Sequence, residues 1–290
     1  MVDPIHESPH TSDDPAYCET WAYSFTDLEQ RRSVLVHASW LPARGIGNHL
    51  VMIQRDGASV ARRVETRDPF RSSLLELEVD PWRAAAVRCP ELDLDLVWNA
   101  FTPPIDFGDG FDLDDSMHQR HVQAGVRASG RLGGARLTSA PGFRDRSWGP
   151  RDLRRMGRIV TLLMTGVERD LFVTVNAMTH CDRPYSASPD TTLACSVIDG
   201  DVRVWPSPPR VRRNPDGTPA SFELPGNLVI DLDLANAFHE GRFVADRTSA
   251  PESYPTLEPV LLIRMWALVA EARGLGRMAG SYQEGFLHTN

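Results

Sequence analysis

Short runs of alternating apolar and polar residues recur along this 290-residue chain, each bounded by Gly, Pro, Asp or Asn. A period of two belongs to a strand with one face buried, and a helix, with its period of 3.6, cannot satisfy it. In ELDLDLVW, residues 91–98, Leu92, Leu94 and Leu96 face one way and Asp93 and Asp95 the other. NLVIDLDLANAF, residues 227–238, repeats that pattern in the second half. Asp56-Gly57 between two alternating runs marks a hairpin. RIVTLLMTGV and LFVTVNAM, on either side of Glu168, Arg169 and Asp170, read as a central pair of strands. SVIDGDVRVW turns at Asp199 to Asp201. The two halves read alike, which predicts an all-β chain of two sandwich or barrel domains.

The length and the 41% hydrophobic content suffice for one large core or two smaller ones. Lys+Arg 31 against Asp+Glu 39 gives a formal charge of -8, which favours neither nucleic acid nor an anionic membrane and leaves a small molecule or another protein as partner. MVDPIHESPHTSDDP has neither the basic start nor the apolar run of a secretory signal, so a cytoplasmic location is expected, with residues 1–16 as a disordered tail. Cys18, Cys89, Cys181 and Cys195 form no CxxC pair and read as buried free thiols. PVLLIRMWALVA is broken by Arg264 and too short to span a bilayer, so no transmembrane segment is expected. Its Leu261, Leu262, Met265, Trp266 and Val269 fit a helical stripe, whereas Gly274, Gly276 and Gly280 favour a turn and a glycine-broken strand. Neither GxGxxG between strand and helix nor GxxxxGK[ST] is present, so neither a dinucleotide nor a nucleotide phosphate has its glycine cradle, and no organic cofactor is expected.

The chemistry concentrates in GFRDRSWGPR, residues 142–151. Gly142 and Gly149-Pro150 punctuate it as an ordered linker over 141–150 between domains at 17–140 and 151–285. Trp148 would anchor that turn, and Arg144, Arg146 and Arg151 surround Asp145. The cluster reads either as a salt-bridged joint or as catalytic machinery. Just upstream, His121, Gln123, Gly125, Arg127 and Ser129 share one polar strand face, which would be solvated or would line a site beside Asp145. His118 and His121 form an HxxH behind Asp112, Asp114 and Asp115. On a strand that spacing sends the rings to opposite faces, and the aspartates lack the calcium-loop order, so no metal is expected.

Three stretches resemble the hydroxyneurosporene synthase (carotenoid hydratase) group and its bacterial relatives. RHVQAGVRASG is similar to the strand before the family motif, GFRDRSWGPR to the motif, and WALVAEARGLGRMAGSYQEGF to the closing strands that end near a glutamate. The resemblance implies tandem lipocalin-like domains, a β-hairpin at the C-terminus, and a polar strand turned toward a cavity near the junction. It also implies acid-assisted hydration, isomerisation or cyclisation of a terpenoid, polyene or polyketide-like molecule. Alkene protonation needs an acid, with Asp145, His121, Asp115 and Glu284 as candidates, and an aromatic face for the cation, for which Trp148 is the candidate. Gln123, Arg127, Arg144, Arg146, Arg151 and His118 are the candidate substrate-binding residues. The three arginines beside Asp145 are expected to keep it ionised. Relatives carry His where this chain has Arg146, and Glu where it has Gln123. A non-catalytic carrier of a hydrophobic ligand, or a structural or interaction protein, fits the same residues.

Overall fold

The computed structural model describes residues 2–55, 58–108, 111–115, 117–184, 188–205, 207–245 and 260–288. About two thirds of them lie in two curled antiparallel sheets, the half-barrels of two tandem lipocalin-like domains. The first sheet contains β1 (Tyr17–Asp27), β2 (Arg32–Leu41), β3 (Ile46–Arg55), β4 (Ala58–Thr66), β5 (Glu76–Asp80), β6 (Ala84–Cys89), β7 (Leu94–Ala100), β8 (Ile105–Asp106), β9 (Phe111–Asp114), β10 (Met117–Leu132) and β11 (Ala135–Pro150). The second contains β12 (Met156–Gly166), β13 (Leu171–His180), β14 (Thr191–Ile198), β15 (Asp201–Trp205), β16 (Arg210–Arg213), β17 (Pro219–Leu224), β18 (Leu228–Leu232), β19 (His239–Ala245), β20 (Val260–Ala272) and β21 (Gly276–His288).

The strand orders are β4-β3-β2-β1-β11-β10-β7-β6-β5 and β15-β14-β13-β12-β21-β20-β18-β17-β16. Each is a four-strand meander, then a long closing hairpin, then a three-strand meander, so the halves repeat in topology as the sequence pattern suggested. Each half-barrel wraps its own core, Trp21, Phe25, Val36 and Trp98 in the first and Leu162, Phe222, Trp266 and Tyr282 in the second. A third apolar cluster joins them, with Phe143 of β11 against Leu163, Phe172 and Met178 of the second sheet. The Asp56-Gly57 turn lies outside the described residues, but Arg55 pairs with Ala58 on either side of it.

Several expectations are corrected. Residues 141–150 are not a linker: they are the second half of β11, paired with β1 and β10 on both sides. The glycines that read as turn punctuation serve close strand approach instead, since a Cβ at Gly142 would overlap the Ser24 carbonyl and one at Gly149 the His118 carbonyl. The helical stripe after Pro259 is strand β20, whose Trp266, Leu268 and Ala270 enter the second core while Ile263 and Met265 face the first sheet. Burial on both faces makes such a strand apolar throughout, and periodicity cannot then separate it from a helix. β7 begins at Leu94, with Leu92 in a preceding 3₁₀ turn and Asp93 left-handed at φ 46°. Cys18, Cys89 and Cys195 are buried free thiols, while Cys181 is half-buried.

The segment expected to be a loose tail is docked. Pro4–Glu7 form a 3₁₀ turn capped by the Asp3 side chain, and Val2 and Glu7 are buried. Trp82 donates its indole N–H to the Asp3 carbonyl at 3.3 Å, and Trp21 donates to that of Glu7 at 3.1 Å. Composition could not reveal this, because the groups that bury the segment belong to distant strands.

Candidate functional site

Alternation along β11 splits the arginine-rich motif between two sides of the first sheet. Arg144, Arg146 and Trp148 lie opposite Tyr23, Trp21 and Glu19 of β1 and point into the first half-barrel. Phe143, Asp145 and Ser147 point the other way, toward the second sheet. The first set holds the N-terminal segment. Arg144 pairs with Glu7, and Arg146 pairs with Glu19 while donating to the carbonyls of His6 at 2.9 Å and Ser147 at 2.8 Å. The Arg146 guanidinium lies 3.9 Å above the Trp21 ring, and Trp148 stacks on His6 and His10 at 4.9 and 5.4 Å.

The second set lines a cavity of about 330 Å³ between the sheets. Strand register writes its floor as transverse rows. One runs His37, Ala22, Asp145, Gln123 across β2, β1, β11 and β10. The next runs Ser39, Thr20, Ser147, His121 over the same strands. The second sheet answers with Asn176, Thr161, Gln283 and Met265 across β13, β12, β21 and β20, all facing the same space. Met52, Met117, Met156, Met178 and Met265 make much of the remaining wall, a soft surface that adapts to irregular apolar shapes.

Asp145 is the hub of the floor. His121 Nδ1 lies 3.2 Å from its Oδ1, and the Gln123 amide nitrogen donates to the same oxygen at 2.8 Å. Among the described residues Oδ2 has no hydrogen-bond partner. Gln123 is fixed from the second sheet, its oxygen accepting from Thr174 Oγ1 at 2.6 Å and Asn176 Nδ2 at 3.3 Å. The Gln119 amide directs its oxygen to Arg151 (3.0 Å to Nη2), which turns its nitrogen toward His121 Nε2 at 3.3 Å. That orientation selects the His121 tautomer with its proton on Nδ1, donated to Asp145. Arg151 also donates to Ser147 Oγ at 2.8 Å, and Ser147 is bonded to Thr20 at 2.6 Å.

Burial raises the Asp145 pKa, but His121, through its charge when the ring is protonated and through its hydrogen bond, together with the Gln123 amide and the nearby Arg151 guanidinium, outweighs it. The carboxyl therefore titrates below its ordinary range and is an anion at neutral pH. His37 moves the other way in charge: burial, then Arg151, push its pKa down to about 4. One row thus carries an anion and an uncharged imidazole, separated by the methyl group of Ala22.

The remaining candidates lie elsewhere. Trp148, Arg144 and Arg146 are on the opposite face of β11, so Trp148 offers no aromatic surface to this cavity. Glu284 lies in the second half-barrel, accepting from Arg158 at 2.6 Å, Arg213 at 3.1 Å and the Tyr282 hydroxyl at 2.9 Å; burial raises its pKa, but those two arginines and the hydrogen bonds bring it below the usual range. Arg127 is a strut, donating to the Gly166 and Arg169 carbonyls at 2.6 and 2.8 Å. Asp115 and His118 are exposed, and His118 is separated from His121 by the strand pleat. Among the described residues His180, Cys181 and Asp182 bring metal-ligand atoms within 4.8 Å of one another, away from the cavity. Sequence reading missed His37, Thr20 and Asn176, although SVLVHASWL places Leu35, His37 and Ser39 on the face opposite Val34, Val36 and Ala38.

Fold and site define a tandem lipocalin-like protein with a polar-floored, methionine-walled cavity between its half-barrels. The chain belongs to the family described as a domain of unknown function, DUF7064, which matches residues 3–187. It is similar in structure to kievitone hydratase from Nectria haematococca, with a TM-score of 0.58 at 10% identity over 100% of this chain and 93% of that one. It is also similar to a protein assigned as AttH from Nitrosomonas europaea, with a TM-score of 0.57 at 12% identity over 93% and 91% of the two chains. At these identities the likeness speaks for the fold. No curated protein matches the sequence. Among the described residues no helix is long and apolar enough to cross a membrane.

Proposed function

We propose that this protein is a hydratase acting on an apolar, unsaturated small molecule in the intersheet cavity. The observation that carries the reading is the His121–Asp145 pair on the cavity floor, locked by Gln123 and faced by a methionine wall. Because Asp145 is ionised, it serves as the acceptor of a proton, and the unpartnered Oδ2 is the atom that meets a water. His121 donates from Nδ1 to Oδ1 and holds the carboxylate in orientation. As the water oxygen bonds to the far carbon of an alkene conjugated to a carbonyl, its proton passes to Asp145 and the π pair moves through the near carbon onto the carbonyl oxygen; the near carbon then takes that proton back from Asp145 as the carbonyl reforms. The neutral imidazole of His37 lies across Ala22, two strand spacings or roughly 10 Å from Asp145 along the backbone. It supplies a hydrogen bond to a substrate oxygen. Likeness to a hydratase fold adds support, and the cavity's place at the junction fits the expectation of acid–base chemistry on a hydrophobic molecule.

The test is incubation with terpenoid and lipid extracts in ¹⁸O-labelled water, followed by mass spectrometry. A product carrying the label, lost in Asp145→Asn and in Ala22→Phe, is expected. Recovery of an unchanged ligand at one per chain would replace the enzyme with a carrier, and neither product nor ligand would refute the reading.

A further inference from the structure

Building on that proposed function, we infer that the molecule taken by the intersheet cavity carries a carboxylate and that Arg151 receives it. The described residues lining the cavity include two guanidiniums, Arg63 and Arg151, against one carboxylate, Asp145. Arg63 stands on the exposed side, bonded to the Asn48 amide oxygen at 3.0 and 2.8 Å.

Arg151 lies deeper, and among the described residues its side chain hydrogen-bonds to neutral groups, the Ser147 hydroxyl and the Gln119 amide. Neutral partners fix the plane of a guanidinium without cancelling its charge, which is how a protein prepares a fork for a planar anion. The Ser147–Thr20 hydrogen bond stiffens that support. The second sheet offers an apolar patch, Ile159, Met178, Ile263 and Met265, beside its polar row of Asn176, Thr161 and Gln283. A molecule with one anionic end and an apolar body matches both surfaces at once. About 330 Å³ lies at the low end of the usual range of roughly 300–1,000 Å³ and suits a compact acid better than a long polyene.

Isothermal titration with geranic acid, geraniol and methyl geranate tests this, at a pH where the acid is ionised. The acid is expected to bind about tenfold or more tightly than the alcohol or the ester. Arg151→Gln is expected to bring the three within about twofold by weakening the acid most, and Arg151→Lys to restore part of the preference. If Arg151→Gln does not fold, Ser147→Ala, which loosens the fork without removing it, is expected to reduce the preference. Equal binding of all three by the wild type, abolished by Ala22→Phe, would overturn the carboxylate inference and leave the cavity as the binding site. Absence of binding by any of them would overturn the inference as well, and the labelled-water experiment then decides the hydratase reading separately.

Discussion

Arg146 and Asp145 are covalent neighbours whose side chains leave β11 on opposite faces, the guanidinium over Trp21 inside the first half-barrel and the carboxylate against His121 in the intersheet cavity. Their energetic roles therefore separate. Arg146→Met takes the guanidinium from Glu19, which is fully buried and among the described residues keeps only His10 as partner, and from the carbonyls that the guanidinium satisfies. A loss of about 3–5 kcal/mol is expected from urea unfolding. Asp145→Asn keeps an oxygen for His121 and Gln123, so about 1 kcal/mol is expected. Equal losses in the two variants would show that the faces are not separate.

The N-terminal segment is expected to contribute to stability despite its composition. Deleting residues 1–10 removes the Glu7 partner of Arg144 and the rings stacked on Trp148. A loss of about 3 kcal/mol or more is expected, with a red shift in tryptophan emission as Trp21, Trp82 and Trp148 gain water. Unchanged melting and emission would mean that the segment is not docked in solution.

These two experiments bear on what the sequence could say. The strands were legible because one-sided burial writes a period of two, as in Leu94, Leu96 and Trp98, all buried in the first core. The polar face of β10 was legible for the same reason, and His121 and Gln123 do meet Asp145. Within GFRDRSWGPR the same alternation was hidden, because both faces of that strand are polar and its ends are glycines. Proximity along the chain then suggested three arginines around Asp145, whereas the pleat sends Arg144 and Arg146 to Glu7 and Glu19. Those partners lie more than a hundred residues away, as do the strands that bring Thr20 to Ser147. No local pattern encodes such pairings.

Gly125 tests the packing of one half-barrel on the other. A Cβ there would lie 2.9 Å from the Phe172 Cβ of the second sheet and 2.6 Å from the Phe101 ring. The ring can turn, but the β13 backbone that carries Phe172 is held by β12 and β14. Gly125→Ala is expected to cost about 1–3 kcal/mol, measured by thermal unfolding. A neutral result would mean that the two sheets can slide apart without penalty.

The last prediction concerns acid. His37 has a folded pKa of about 4 against an ordinary 6.5, because burial and Arg151 oppose its charge. The unfolded chain therefore binds one more proton at this residue between those two values, and stability must fall as pH drops through that window. Above 6.5 the residue is neutral in both states and contributes no slope; below about 4 the loss is complete, at up to about 3 kcal/mol. Asp145, whose pKa is depressed, has the same sign at lower pH, its contribution being lost as pH falls through its folded value. Glu7 has the opposite sign, since burial raises its pKa beyond what Arg144 and Arg146 offset. His6 and His49, both lowered mainly by burial, add to the loss. Comparing wild type with His37→Asn removes these shared contributions. The two stability curves are expected to run parallel above 6.5 and to converge or cross as pH falls toward 4, the variant losing less. Curves that remain parallel throughout would show that His37 is not held neutral on the cavity floor, and its proposed hydrogen bond to substrate would have to be withdrawn.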